Sequence, residues 1–306
     1  MVRKKKKRIG LRIFGITMLL LLIGGGAYAY SFYQSVTQTT EKIHQPIERE
    51  KSEKRVEEVE VVEKEPFSML MLGVDEREGD RGRSDTMIVA TVNPNNNSVK
   101  MVSIPRDTRT EIIGKGYKDK INHAYAFGGV EMSMDTVEDF LDIPIDYYLQ
   151  INMEGYKDVV DAVGGVTVAN DLEFSYGGSH FPEGEITLDG EKALNYSRMR
   201  YEDPRGDFGR QLRQRQVIKA VMKEGASISS LTNYADIFTA LDKNIKTNLT
   251  FDEILEIQKH YKDVVNDIEQ LKVEGSGTQI NSIYYLQVPT EEQNRIQSEL
   301  QTHLEI

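Results

Sequence analysis

Phe67-Ser68-Met69-Leu70-Met71-Leu72-Gly73-Val74 runs straight into Asp75, and after a nine-residue loop, Glu76–Ser84, Asp85 opens a second run, Thr86-Met87-Ile88-Val89-Ala90-Thr91-Val92. Each run is apolar over strand length and reads as a buried strand. Asn93-Pro94-Asn95-Asn96-Asn97 is a turn signal. Val99–Ile104 forms a third strand behind it, so the second and third make a hairpin. If the first two strands pair antiparallel, Asp75 and Asp85 meet at one edge of the sheet. The third strand returns to that edge and ends in Ser103-Ile104-Pro105-Arg106-Asp107, which brings Arg106 there too; Arg83 lies two residues before Asp85. Two carboxylates at a strand edge suit a hard divalent cation that keeps part of its water shell. Arginines beside them suit phosphate oxygens, which a guanidinium grips as a planar fork. Surface ion pairing is the alternative for any one of these residues.

Beyond Arg106 the patterns interleave. Helices are expected over Val130–Leu141, Met153–Val163, Glu191–Met199, Asp207–Lys223, Tyr234–Lys243 and Phe251–Tyr261, with a last one after Pro289. Strands are expected over Ile145–Ile151, Val166–Ala169, Leu271–Val273 and Ile283–Val288. No internal repeat is present. The alternation predicts one α/β domain, an α-β-α arrangement with a mixed central sheet flanked by helices, over residues 66–306.

The chain of 306 residues carries a net charge of −11, but residues 1–12 hold seven basic side chains and no acid. The remainder is therefore at −18, a field that disfavours nucleic acid and anionic lipid. Residues 13–33 are uncharged and apolar, with Tyr28, Tyr30, Phe32 and Tyr33 at one end. A membrane span needs roughly 20 such residues, with aromatics at the interface and basic residues on the cytoplasmic side. The expected arrangement is a basic cytoplasmic tail (1–12), one transmembrane helix (13–33), a charged stalk (34–65) and an extracytoplasmic domain. A cleaved signal peptide is the competing reading, for which Ala27-Tyr28-Ala29 offers small residues; the length of the apolar run favours retention. Glu41–Glu65 holds nine glutamates and six lysines or arginines, which predicts a solvated spacer without a core of its own.

Against that acidic background, residues 198–215 stand out with Arg198, Arg200, Arg205, Arg210, Arg213 and Arg215 against Glu202, Asp203 and Asp207. On a helix starting near Asp207, the residues Arg210, Arg213, Gln214, Val217 and Val221 share one face, and the valines mark it as inward. Arginines turned inward near a helix N-terminus call for an anion. Pairing of Arg210 with Asp207 at i,i+3 is the alternative. Arg215 points off that face and is expected at the surface. There is no cysteine, no G-x-S-x-G elbow, no phosphate-binding G-x-x-x-x-G-K-[ST] loop and no H-E-x-x-H. His123 is expected to be structural. The chemistry should rest on a metal and arginine electrostatics.

These segments resemble the LytR–CpsA–Psr family of bacterial envelope proteins. The strings that carry the likeness are Leu72-Gly73-Val74-Asp75, Arg83-Ser84-Asp85-Thr86, Ser103-Ile104-Pro105-Arg106-Asp107 and Lys120-Ile121-Asn122-His123-Ala124-Tyr125. Further on come Ser197-Arg198-Met199-Arg200, Asp203-Pro204-Arg205-Gly206-Asp207-Phe208-Gly209-Arg210 and Arg213-Gln214. The resemblance implies a phosphotransferase on the outer face of a Gram-positive membrane. It would move an anionic glycopolymer, wall teichoic acid being the expectation, from a polyprenyl pyrophosphate carrier to a peptidoglycan hydroxyl. It implies a long apolar pocket for the lipid and Mg²⁺, or Mn²⁺, held by Asp75 and Asp85. It assigns pyrophosphate contacts to Arg83, Arg106, Arg198, Arg200, Arg210 and Arg213. Asp75, Arg106 and Arg198 are the expected catalytic residues, with Asp75 the candidate base. A hydrolase releasing the polymer into water, or a non-catalytic lipid-phosphate receptor, would use the same groups.

Overall fold

The structure, a computed structural model, describes residues 42–49, 51–75, 82–227 and 244–306. The expected span at 13–33, the tail before it and the expected helix Tyr234–Lys243 lie outside them. No helix among the described residues is long and apolar enough to cross a membrane.

The antiparallel hairpin foreseen in the sequence is the heart of the sheet. Strand β1 (Phe67–Val74) pairs antiparallel with β2 (Ser84–Asn93), and β2 with β3 (Ser98–Ser103). A short hairpin follows, β4 (Arg109–Ile112) and β5 (Tyr117–Lys120), then helix α1 (His123–Leu141). Strand β6 (Tyr147–Ile151) joins β1 in parallel, and α2 (Met153–Ala162) leads into β7 (Val166–Asn170). Two further hairpin pieces, β8 (Phe174–Tyr176) with β9 (Ser179–Phe181), and β10 (Gly184–Leu188) against β7, precede α3 (Gly190–Arg198) and α4 (Asp207–Ser227). The chain closes with β11 (Ile245–Thr247), α5 (Phe251–His260), β12 (Asp267–Lys272), the β13 (Ser276–Ile280) and β14 (Ile283–Gln287) hairpin, and α6 (Thr290–Leu304). The main sheet has the order β11-β6-β1-β2-β3-β12, with parallel β6–β1 and β3–β12 pairs among antiparallel ones. The mixed sheet flanked by helices is thus as expected.

Both faces of β1 and β2 are covered, which is why their sequences are apolar without alternation. One face presents Leu70, Leu72, Met87 and Val89 to Val137 and Phe140 of α1 and Leu300 and Leu304 of α6. The other presents Phe67, Ile88 and Ala90, continued by Met101 of β3, to Ile218 and Met222 of α4 and Ile254 and Ile257 of α5. Leu70 and Leu72 are fully buried; truncating either to alanine would cost about 2–5 kcal/mol. A third cluster, with Phe174, Phe181, Tyr196 and Val217, ties β7–β10 to α3 and α4.

Three expectations need correction. Helix α1 begins at His123, seven residues before the expected Val130, because it continues across a break at Gly128-Gly129, where Gly129 takes φ +69°. The β4–β5 and β8–β9 hairpins were missed; each strand is only three or four residues long and mixes buried with polar positions, so it carries no apolar run. The third correction concerns the charged spacer. Residues 42–49 and 51–65 lie against the domain, with Ile43, Val59 and Val61 buried. Arg49 donates to Glu138 and to the Ile145 carbonyl, and Arg55 forks onto Asp146. Gln45 N donates to Thr247 O at 2.7 Å. Charge counting predicted solvation because the partners of these arginines lie roughly ninety residues away in sequence.

Candidate active site

Register explains how the first acid is aimed. Gly73 faces Thr86 while Val74 faces Ser84, so Asp85 is the extra residue of a β-bulge. A bulge bends its strand and redirects a side chain, as it does beside many active sites. The ladder continues beyond it, with Asp75 N donating to Arg83 O at 3.4 Å. Strand β3 then delivers Arg106, whose Nη1 donates to Asp85 Oδ1 at 2.7 Å. Burial works against the Arg106 cation, but Asp85, Asp107 and Asp207 outweigh it and raise its pKa, so the guanidinium stays charged.

The β4–β5 hairpin folds back onto this edge: Ile121 N donates to Thr108 O at 2.8 Å and Asn122 N to Arg106 O at 3.4 Å. Lys120 Nζ consequently reaches Asp107 Oδ1 at 2.6 Å. A cleft of about 170 Å³ opens among Arg83, Asp85, Arg106, Asp107, Lys120, Asn122 and His123. From the other side, the first turn of α4 supplies Arg210. Its Nη2 lies 2.8 Å from Asp207 Oδ1 and donates to the Asp85 carbonyl at 3.3 Å, and its buried Nε has no partner. Arg210 therefore satisfies both readings of the sequence: it pairs with Asp207 and still turns a donor toward the acidic edge.

Asp75, Arg83, Asp85, Arg106 and Arg210 thus come together. Arg198, the last residue of α3, and Arg200, on the connection to α4, are exposed, with Arg200 lying 5.8 Å from the Tyr201 ring. No contact among those described joins either to the Asp85 edge. Arg213 is a correction. It is fully buried, with Nη1 2.6 Å from Asp203 Oδ2, Nε donating to Tyr196 O, Nη2 to Met199 O, and its plane 5.2 Å from the Phe174 ring. The inward face was read correctly, but the anion is the protein's own Asp203. Arg215 is the second correction: it is 1% exposed, bonded to Ser103 Oγ and Gln270 Oε1, and burial without a neighbouring carboxylate pulls it down to about 10.

Lys120, Asn122 and His123 were not foreseen as lining residues. Their only signal was membership of the string Lys120–Tyr125, because the hairpin that returns them is not legible in the pattern. A larger cavity, about 330 Å³, lies between the N-terminal segment and β6. Its arginines, Arg49 and Arg55, are already paired with Glu138 and Asp146, and its Lys51 Nζ donates to the Arg55 and Val56 carbonyls.

The donors fit a hard cation in kind. Asp75 and Asp85 are carboxylates, and between Arg83 and Asp85 the buried Ser84 Oγ has no partner. Among the described residues no group of three His, Cys, Asp or Glu is arranged to hold a metal alone. A cation here would need ligand oxygens to complete its shell, which is how Mg²⁺ sits beside phosphates.

The LytR_cpsA_psr family model matches residues 30–302. The chain belongs to the LytR_cpsA_psr family. It is 55% identical over 302 residues, 98% of this chain and 99% of the other, to the polyisoprenyl-teichoic acid–peptidoglycan teichoic acid transferase TagU of Bacillus cereus. It is similar to TagT bound to LIIa-WTA, at 32% identity and TM-score 0.74 over 86% of this chain and all of that one. A structure from Enterococcus faecalis described as a transcriptional regulator is similar at 41% identity and TM-score 0.75, covering 81% of this chain and 91% of that one. In this member of the LytR_cpsA_psr family the cleft is lined by Arg83, Arg106 and Lys120 although the chain as a whole is acidic.

Proposed function

We propose that this chain transfers a teichoic-acid-type anionic glycopolymer from a polyisoprenyl diphosphate carrier to a peptidoglycan hydroxyl. The observation that carries the reading is the convergence of four separate segments on one sheet edge: Arg83, Asp85 and Arg106 line a small cleft, Arg210 donates to the Asp85 carbonyl, and Asp75 ends β1 beside Arg83. Guanidinium groups from different segments, one with an unpartnered buried Nε, match a diphosphate with several oxygens to satisfy. The transferase relatives at 55% identity support the substrate class. An acidic domain argues against nucleic acid, despite the name of the Enterococcus relative.

In the reaction, the acceptor oxygen forms a bond to the polymer-bearing phosphorus as the bond from that phosphorus to the prenyl phosphate oxygen breaks. The polymer leaves as a phosphodiester of the acceptor, the prenyl phosphate keeps the electron pair, and the hydroxyl proton passes to a base. Arg83, Arg106 and Arg210 hold diphosphate oxygens and offset the charge that grows on the leaving phosphate. Asp75 and Asp85 would hold Mg²⁺ or Mn²⁺, which supplies further charge neutralisation at the diphosphate. Arg198 and Arg200, exposed at the end of α3 and just after it, would add pyrophosphate contacts once substrate is bound. Half-buried Met69, Met71, Ile218, Met222, Ile254 and Ile257 lie between the sheet and α4–α5, on the face reached from the start of α4. Flexible methionines and isoleucines there suit a prenyl chain. Residues 13–33 would anchor the chain so that the cleft works at the outer membrane surface.

The test is full-length protein in nanodiscs with a prenyl-diphosphate-linked glycan, peptidoglycan oligomers and Mg²⁺, with and without chelator. Wild type should yield the acceptor-linked phosphodiester; Asp85→Ala and Arg106→Ala should lose most of it. Free glycan phosphate regardless of acceptor would make the protein a hydrolase, and binding without turnover would make it a receptor.

A further inference from the structure

The arginine side of the cleft answers a phosphate, but the opposite wall is built for a different partner. Asn122 is 4% exposed and its buried Oδ1 accepts no hydrogen bond. An acceptor without a donor is of no use to an anion; it calls for a hydroxyl or amide N–H. Next to it, His123 Nδ1 is 2.8 Å from Asp119 Oδ2. Asp119 is itself held by Lys120 N at 2.8 Å and by the Tyr285 hydroxyl at 3.2 Å. Burial would raise the Asp119 carboxyl, but its bonds from His123, Lys120 N and Tyr285 prevail and keep it ionised. A carboxylate on Nδ1 holds the proton there and leaves Nε2 as the nitrogen with a free lone pair. The ring is further fixed by Phe127, edge-on at 5.9 Å.

The acids of the cleft are poorly suited to take a proton. Asp85 is engaged by Arg106 and Asp107 by Lys120, at 2.7 and 2.6 Å. Asp75, the base expected from sequence, ends β1 and is not among the residues lining the cleft. His123 is the one imidazole that does line it.

We propose that the Asn122–His123 wall is the acceptor subsite, with His123 Nε2 taking the proton of the attacking sugar hydroxyl, Asp119 positioning the imidazole, and Asn122 Oδ1 receiving a neighbouring hydroxyl or amide N–H of the same sugar. The acceptor O–H bond breaks to His123 as the new oxygen–phosphorus bond forms, and the proton is later released to water. This rests on the transferase reading. The charged groups around the imidazole are Asp119 and Lys120 on its own side, Arg106 and Asp107 from the β3–β4 connection, and Arg83 and Asp85 from the start of β2. Tyr285 and Arg109 lie behind Asp119, and Lys115 lies over Phe127.

The experiment is the pH–rate profile of transfer by full-length protein, wild type against His123→Gln and Asp119→Asn, with binding of a short prenyl diphosphate measured in parallel. His123→Gln should lower kcat by about 100-fold or more and remove the acid limb of the profile, with prenyl diphosphate binding and thermal midpoint near wild type. Asp119→Asn should displace that limb and lower kcat less. His123→Ala should be partly rescued by added imidazole. An unchanged acid limb with kcat within threefold of wild type in His123→Gln overturns the proposal while leaving the transferase reading intact. Loss of prenyl diphosphate binding in that variant also overturns it, by making His123 a phosphate ligand. A wild type that binds prenyl diphosphate but never turns over overturns both.

Discussion

Arg213 donates a 2.6 Å hydrogen bond from Nη1 to Asp203 Oδ2 at a depth where neither side chain keeps any solvent exposure. The pair joins the inward face of α4 to the loop that follows α3, and so sets where Arg210, one turn earlier, meets the Asp85 edge. Asp203 also accepts from Arg205 Nε at 2.9 Å and from the Arg205 backbone N–H at 2.9 Å. Burial raises its carboxyl, but the bonds from Arg205 and Arg213 more than offset this and hold it far below the ordinary carboxylate range.

Asp203→Ala should therefore destabilise by about 3–5 kcal/mol, because it strands a buried guanidinium. The same contact sets a pH dependence. A lowered carboxylate pKa means stability that is fully present above the unfolded value near 3.8 and is lost as pH falls below it. Urea unfolding of wild type and Asp203→Asn across pH 2–6 should show the wild-type advantage shrinking at the acid end.

Gly209 faces the same carboxylate. A Cβ at that position would fall well inside van der Waals contact of Asp203 Oδ2, so Gly209→Ala should lower the thermal midpoint although alanine is the better helix former. In the Asp203→Ala background the penalty should largely vanish. A double-mutant cycle that came out additive would contradict the close approach.

Two arginine-to-lysine changes should separate site from scaffold. Arg106→Lys loses the planar fork offered to the diphosphate while the single bond to Asp85 can be kept, and transfer should fall on the order of 10-fold or more with little change in melting. Arg213→Lys cannot reach Asp203, Tyr196 O and Met199 O together, and should appear as a lower midpoint with the prenyl diphosphate affinity of the folded fraction retained.

His303 is buried between Thr91 Oγ1 and Ser98 Oγ, each at 2.8 Å. Burial, helped by Lys100, lowers its imidazole from 6.5 to about 4. Between those values the unfolded chain binds a proton that the folded one refuses, so stability should fall by about 2 kcal/mol as pH drops from 6.5 to 4. His303→Gln should flatten the curve over that window in denaturant titrations.

Arg215 has two neutral acceptors and no carboxylate. Replacing an uncompensated buried cation with a neutral side chain that can still bond Ser103 should stabilise, so Arg215→Gln should raise stability by about 1–2 kcal/mol in calorimetry. A lower midpoint would mean that an anion held near Ser103 is satisfying the guanidinium.

The apolar runs Phe67–Val74 and Thr86–Val92, with the asparagine turn after them, determined by themselves that a hairpin lies in the middle of the sheet. That hairpin brings Asp75, Arg83, Asp85 and Arg106 to one edge, because strand pairing of neighbours is a local property of the chain. Tertiary structure alone decided the rest. Arg210 and Arg213 lie three residues apart on one helical face, and periodicity treats them alike; what separates them is the carboxylate each meets, from Asp207 in the same turn or from Asp203 in the loop before it. Arg49 and Arg55 read as solvated until Glu138 and Asp146 come within reach. Charge on a side chain is written in the sequence, but whether that charge is spent on the fold or left for a ligand depends on partners that only folding brings near.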